Sequence, residues 1–379
     1  MTAAPMLINF ISHLPQDLRS GGFSAMNAAA CAAIGKAHTV NYAGPIWPPH
    51  LMRQKVASKA LRMARLPGDY FTYSKQRLRT IAGLVDEACK AEADLDFFHG
   101  FTAWIETRPQ RPYMAWSDCS FRDYITLYHQ RANFRAADLA RIERSEAAWL
   151  QGAAAIGFTS AWAAGRATTD YALDPTRVHV VGIFGETEWP DADAWKGGQQ
   201  FAFVSTDFAA KGGQNVLAAY RALRERHPEA SLVIVGDAPA DLRAEPGVEI
   251  AGFLRKEDPE QNQRLRSILA ESRAVVHPTR SDIAPLLLVE AGYFGCPVIS
   301  TRRFAIPEIV DDDVTGMLLD DPQDVSAIAA AMAAMLDMAE GAYLAMRRAA
   351  WLKCREEHSR ERFDARLQAM ISSAGIDGR

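Results

Sequence analysis

Between Phe201 and Asp320 the sequence alternates six short β-branched or apolar runs with stretches of helical period. The runs are FAFVST (201–206), SLVIVGD (231–237), VEIAGF (248–253), RAVVHPT (273–279), PVIST (297–301) and GMLLD (316–320). Between the first two, residues 213–226 place Val216, Leu217, Tyr220 and Leu223 on one helical face. Runs apolar on both sides, each followed by an amphipathic helix, predict a parallel sheet covered by helices on both faces. Ligands of such sheets lie beyond the carboxyl ends of the strands, so chemistry is expected in the loops that follow them.

The N-terminal half repeats this plan less regularly. MLINFIS (6–12), HTVNYAG (38–44), LDFFHGF (95–101), YMAWSD (113–118), AAIGFTS (154–160) and RVHVVGIF (177–184) read as strands. The opening stretch has no Lys or Arg ahead of a short apolar run and reads as the first strand rather than a secretion signal. Residues 186–198, polar and turn-rich, read as a linker, and 340–371 as helix, with Trp351 and Phe363 available for packing. A chain of 379 residues suits two domains better than one core. We therefore expect an N-terminal domain over 1–185, a second over 199–338, and a helical tail over 339–379 that returns to the first domain.

The segment HPTRSDIAPLLLVEAGYFGCPVIS (277–300) holds the most chemistry. A buried strand ends near Pro278, a loop carries Asp282, and a helix opening near Pro285 carries Glu290 before it stops at Gly295. Proline suits a first helical turn, where an N–H has no intrahelical partner. The helix start offers free N–H groups and partial positive charge to a phosphate. A carboxylate deeper in the helix can accept paired hydrogen bonds from a ribose diol.

This segment resembles the signature of family 4 glycosyltransferases, retaining enzymes of the GT-B fold, in which two acidic residues flank seven others. FVSTDFAAKGG (203–213) is similar to that family's FVGxDWxRKGG segment, and LVIVGDAP (232–239) to its nucleotide-domain strand and loop. The likeness covers most of 200–320. It extends more loosely to SGGFS (20–24), HGF (99–101), WSD (116–118) and TSAWAA (159–164).

The resemblance implies an α/β chain of two Rossmann-like domains facing across a cleft, the first binding acceptor and the second a nucleoside-diphosphate sugar. It implies hexosyl transfer to a hydroxyl of a saccharide or lipid-linked acceptor with retention, without a bound metal or other cofactor, in glycan or polysaccharide assembly. Carried over by position, Glu290 would hold the donor ribose and Asp282 would contact hydroxyls of the transferred sugar. Lys211 would neutralise the leaving diphosphate, which Gly21 and Gly22 would approach from the other domain. Phe253 would meet the nucleobase through its backbone. Thr206, Leu286 and Leu287 complete the implied donor contacts, and Asp118 falls where many relatives place a histidine near the reacting sugar. His99 is a further acceptor-side candidate. The sequence departs from the pattern at four places. The first acid is Asp282, the usual Gly-Phe-Gly is Ile283-Ala284-Pro285, a common arginine is Thr206, and a common glycine pair is Phe304-Ala305.

Each residue also has a structural reading. Asp282 and Glu290 could be surface acids, Gly21-Gly22 a simple turn, Asp118 the cap of a helix beginning near Phe121, and His99 a hydrogen-bonded core histidine. The idle-scaffold, phosphorylase and sugar-nucleotide epimerase readings share the fold. HExxH, Walker and G-x-S-x-G motifs are absent from the sequence, against the corresponding metalloprotease, P-loop and hydrolase readings. The Asp94/Asp96, Asp191/Asp193 and Asp311–Asp313 groups read as solvated turns. Five scattered cysteines without a CxxC pair fit a reducing compartment, and a cytoplasmic location is expected. A formal charge of -4 gives no global drive towards nucleic acid. Locally, residues 51–66 carry Arg53, Lys55, Lys59, Arg62 and Arg65 with no acid, a basic amphipathic helix suited to peripheral contact with anionic lipid at the inner membrane face, to solvent, or to an acceptor loop for an anionic soluble molecule.

Overall fold

The computed structural model describes residues 4–18, 22–50, 52–190, 195, 198–239, 242 and 245–375, with only the backbone of Arg62. The chain divides into two compact units, Met1–Gly182 with Phe363–Arg379, and Ile183–Arg362. In the first unit six parallel strands form one sheet: β1 (Leu7–Ile11), β2 (Thr39–Ala43), β3 (Leu95–His99), β4 (Tyr113–Ser117), β5 (Ala155–Phe158) and β6 (Val178–Val180). Their order is β2-β1-β3-β4-β5-β6. In the second unit, β7 (Gln200–Ser205), β8 (Ser231–Gly236), β9 (Val248–Gly252), β10 (Ala274–Val276), β11 (Val298–Thr301) and β12 (Gly316–Leu319) are also parallel. They run β12-β11-β10-β7-β8-β9.

Each expected strand run contains an observed strand. Apolar runs became strands because β3, β5, β10 and β11 are buried along their whole length, as central strands of a parallel sheet must be. The helix Gly213–Arg224 buries the expected face of Val216, Leu217, Tyr220 and Leu223 and stops two residues short of the expected end. Asp258 and Asp324 cap the helices Pro259–Glu271 and Val325–Asp337, accepting from free first-turn N–H groups. A cap of this kind stabilises a helix by about 1 kcal/mol.

The expected tail is not one element. The helix Glu340–Glu357 lies in the second unit, where Arg347 is 2% exposed and donates to the Phe294 carbonyl at 2.7 Å. The Tyr343 hydroxyl donates to the Arg273 carbonyl at 2.7 Å. This packing seats the helix Leu286–Tyr293, which carries Glu290. From Phe363 onward the chain belongs to the first unit. There Phe363 packs on Trp116 with ring centroids 5.7 Å apart, and Lys36 pairs with Asp364 at 2.5 Å.

One buried acid ties three helices of the first unit together. Glu146 is fully buried and accepts from Thr102 Oγ1 at 2.6 Å, the Phe121 N–H at 2.7 Å and the Tyr171 hydroxyl at 2.8 Å. Burial pushes its carboxyl up to about 7, against the pull of those three donors. Between its ordinary value of 4.5 and about 7 the folded chain therefore keeps a proton that the unfolded chain has lost. That contribution to stability is complete below the ordinary value and is lost as pH rises through 7, by up to about 3 kcal/mol. Urea unfolding of Glu146→Gln across this range is the check. The variant loses hydrogen bonds, but its deficit relative to the native protein should shrink as pH rises. A deficit constant with pH would show that Glu146 does not titrate there.

Candidate functional site

In both sheets strand order reverses direction once, between β7 and β10 in the second unit and between β1 and β3 in the first. Loops leaving two parallel strands at such a switch diverge and open a crevice at their carboxyl ends. The residues with the most distinctive surroundings lie at these two places.

In the second unit the loop after β7 is held by its own side chains. Ser205 Oγ donates to the Asp207 carbonyl and accepts from the Asp207 N–H, while Asp207 Oδ1 accepts from the Ala210 N–H. Gly212 then starts the helix with φ of 86°. A Cβ there would lie 2.9 Å from the Pro278 carbonyl oxygen, so glycine lets this loop rest against the chain leaving β10. That contact brings Lys211 to Asp282.

Asp282 is a fully engaged carboxylate. Its Oδ1 pairs with the Lys211 ammonium, and its Oδ2 accepts from His277 Nε2 at 3.0 Å and Thr279 Oγ1 at 2.8 Å. Burial would raise its carboxyl, but His277 and the Lys211 ammonium outweigh that and hold it well below the usual range. A permanently ionised acid thus fixes a cation at the switch point. The expected surface reading of Asp282 does not hold, since only 21% of its side chain is exposed.

The helix Leu286–Tyr293 begins four residues later. Pro285 takes the capping position rather than the first helical turn, and no side chain caps this end. The N–H groups of Leu286 and Leu287 therefore have no helical acceptor. One turn on, Glu290 has a side chain 5% exposed, and its Oε1 accepts from the Glu186 N–H at 3.0 Å and from the Lys256 ammonium. The approach is close: a Cβ on Gly185 would sit 2.8 Å from Glu290 Cγ and 3.1 Å from the Tyr293 ring. Tyr293 cannot yield, because its hydroxyl accepts from the Gly185 N–H, donates to the His358 carbonyl, and its ring stacks on Trp189 at 3.8 Å. The first part of the expected linker is thus fastened to this unit.

Thr206 is exposed just after β7, and Phe253, 59% exposed, follows β9, two strands from the switch. Phe304, at a position where glycine is common in the pattern, takes a left-handed φ of 56°. Gly21 lies outside the described residues, as do Asp191 and Asp193, and Gly22 opens the helix Gly22–Gly35.

At the switch of the first unit, His13 follows β1 and His99 ends β3, with ring centroids 6.3 Å apart. His99 is fully buried, lies 4.2 Å from the Phe23 ring, and neither of its nitrogens has a hydrogen-bond partner among the described residues. The hydrogen-bonded core histidine expected as its alternative role is therefore not what forms. Burial, then the neighbouring His13, holds His99 well below its ordinary value. Burial and the Arg77 charge bring His13 down to about 4, so two neutral imidazoles face this edge at neutral pH. Asp118 follows β4, next to β3, and accepts from Ser117 Oγ at 3.2 Å; burial raises its carboxyl. It does not cap the next helix. Ser120 does, accepting from the Asp123 N–H.

Sequence reasoning missed His13, Lys256, His277 and Thr279 as functional neighbours. His277 and Thr279 stood inside the segment already singled out, and a threonine three residues before an acid is a recognisable turn signal. Lys256 gave no local signal, being 34 residues from its partner. Among the described residues no group of three or more His, Cys, Asp or Glu side chains gathers to hold a metal.

Residues 198–338 match a family model described as Glycosyl transferases group 1. An MMP α-(1→4)-mannosyltransferase from Mycolicibacterium hassiacum is 29% identical over 174 residues, 45% of this chain and 42% of that protein. The matches to curated relatives span less than half of those proteins' length. Among solved structures, Anabaena HepE in complex with UDP and glucose superposes with a TM-score of 0.64 at 16% identity, over 97% of this chain and 100% of that one. WaaG, a glycosyltransferase involved in lipopolysaccharide biosynthesis, gives 0.65 at 15% identity, over 98% and 100%. With two six-stranded parallel sheets in series, these likenesses establish the GT-B fold.

Proposed function

We propose that the chain is a retaining, metal-independent glycosyltransferase of family 4 that moves a hexosyl group from a nucleoside-diphosphate sugar to a hydroxyl acceptor. One observation carries this reading. Lys211, Asp282, the uncapped helix start at Leu286 and Leu287, and Glu290 all occupy the switch point of a Rossmann-type sheet. A cation and free N–H groups suit a diphosphate, and an acid one turn deeper suits a ribose. The match of 198–338 to the glycosyltransferase model covers the same residues. Its relatives include a mannosyltransferase and a phosphatidylinositol N-acetylglucosaminyltransferase subunit, which favours a role in glycan assembly.

In this mechanism the acceptor oxygen bonds to the anomeric carbon as the bond from that carbon to the diphosphate oxygen breaks on the same face. The acceptor proton passes to the departing phosphate. Lys211 and the Leu286 and Leu287 N–H groups stabilise the charge that develops there, the part a divalent ion plays elsewhere. Asp282 holds Lys211 in place, and the one acceptor position that its three internal partners leave, on Oδ1, is offered to a sugar hydroxyl. The acceptor is assigned to the first unit, where the partly exposed, neutral His13, backed by the buried His99 ring, can hydrogen-bond a hydroxyl without bringing charge.

Thermal unfolding against a panel of nucleotide sugars tests this reading. A donor at about 100 times its dissociation constant should add about 2.7 kcal/mol of apparent stability. Product analysis with saccharide acceptors then separates transfer from epimerisation or phosphorolysis. A folded protein that no nucleotide sugar or nucleoside diphosphate stabilises would leave the idle scaffold as the reading.

A further inference from the structure

The helix Met52–Met63 in the first unit presents apolar side chains to solvent. Met52 is 74% exposed, Val56 62% and Met63 78%. At about 100° per residue these three fall within an arc of roughly 40°, so they form one stripe. Leu66, just past the helix, is 55% exposed. Of eleven exposed large hydrophobic side chains among the described residues, five lie between Trp47 and Leu66, a concentration that scattered surface residues do not produce.

The inner side of this helix is already occupied. Ser74 Oγ donates to Gln54 at 3.1 Å, and Arg53 donates to Gln76. The exposed stripe is therefore a second apolar face. Exposed Lys55 and Lys59 border it, with Arg53 and Arg65 nearby and Lys75 and Arg79 on the following helix. No Asp or Glu occurs between Asp17 and Asp69, although the whole chain carries a net charge of -4. A solvated basic helix has no need to expose Met and Val together. A second copy of this chain would bring the same cations face to face in a two-fold contact.

We propose that this helix docks on an anionic lipid bilayer, with Met52, Val56 and Met63 entering the headgroup boundary and Lys55 and Lys59 pairing with lipid phosphates. An interfacial helix of this kind lies in the membrane plane and buries its apolar face by about 5–10 Å. The inference is independent of the proposed reaction, because it concerns binding and not turnover.

Flotation of the full chain with vesicles tests it. Binding to phosphatidylcholine mixed with phosphatidylglycerol is expected, with little to pure phosphatidylcholine, and it should weaken with salt. The double variant Lys55→Ala/Lys59→Ala should bind mixed vesicles about 25-fold more weakly, at about fivefold for each cation near an anionic surface. Met52→Ser/Val56→Ser/Met63→Ser removes only exposed apolar groups, so it should fold and unfold normally yet lose at least about tenfold in binding. No binding to mixed vesicles, equal binding to both vesicle types, or undiminished binding by the serine variant would each overturn the proposal. So would a native dimer that the serine variant turns into a monomer, since a second copy would then cover the stripe.

Discussion

Lys211→Met is expected to lower turnover by about two to three orders of magnitude, the usual loss when one preorganised group facing developing charge is removed. The side chain leaves the loop after β7 beside Gly212 and is aimed by Asp282. Asp282 keeps His277 and Thr279 when Lys211 is lost, so the loop retains two of its three anchors. The pair is mostly covered but reaches solvent, and its loss should cost about 1 kcal/mol of stability. The effect should fall on kcat more than on donor affinity, because negative charge on the diphosphate is greatest as the sugar departs. Lys211→Arg should restore activity only in part. A guanidinium can grip the Asp282 carboxylate with two parallel hydrogen bonds and is then less free to meet a phosphate. Single-turnover measurements with the stabilising donor decide the matter. Turnover within about tenfold of the native enzyme would leave Lys211 as a structural partner of Asp282 and remove it from the mechanism.

The parts of this molecule that were legible in the sequence are those written in local patterns. The runs that became β8, β10 and β11 in the second unit were legible because both faces of these strands are buried, leaving no polar alternation to blur them. Asp282 and Glu290 were legible as a spaced pair within one loop and helix. Pairings set by tertiary structure were not. Lys256 meets Glu290 only because β9 and the loop after it reach the same edge as the helix Leu286–Tyr293. His13 and His99 become neighbours because β1 pairs with β3, and nothing near either residue announces that pairing. Asp118 illustrates a competing local choice. Two acceptors lie close to the start of the helix Phe121–Tyr128, and the one two residues nearer, Ser120, becomes the cap. The tail read as one helix because 340–371 carries no strong breaker; the break falls at His358-Ser359, between Glu340–Glu357 and Arg360–Ser373.

Glu290→Gln is expected to reduce discrimination between ribose and 2′-deoxyribose donors. Glu290 Oε1 accepts from the Glu186 N–H and the Lys256 ammonium. A ribose offers two hydroxyl donors, and a carboxylate can accept both because all its lone pairs are acceptors. Glutamine keeps one acceptor and turns the other into a donor, so one hydroxyl loses its partner or must reverse. Hydrogen bonds to a charged group contribute about 1.5–3 kcal/mol each, and the native donor should therefore bind roughly 10- to 150-fold more weakly. Size and shape are preserved, and the amide oxygen of the variant can still accept from the Glu186 N–H, so the crowded contact with Gly185 and Tyr293 should survive. General weakening alone could arise from a disturbed helix; the sugar comparison separates the causes. The native protein should favour the ribonucleotide sugar over its 2′-deoxy analogue by the roughly 10- to 150-fold of a charge-assisted bond, and the variant by no more than the roughly tenfold that a neutral hydrogen bond gives. Lys256→Ala is the control, because it removes the internal partner and leaves the carboxylate. It should keep the discrimination, and it should not weaken the donor if the ribose takes the place of the ammonium. Discrimination undiminished in Glu290→Gln would move ribose recognition to another residue and leave Glu290 as the anchor of Lys256 and Glu186.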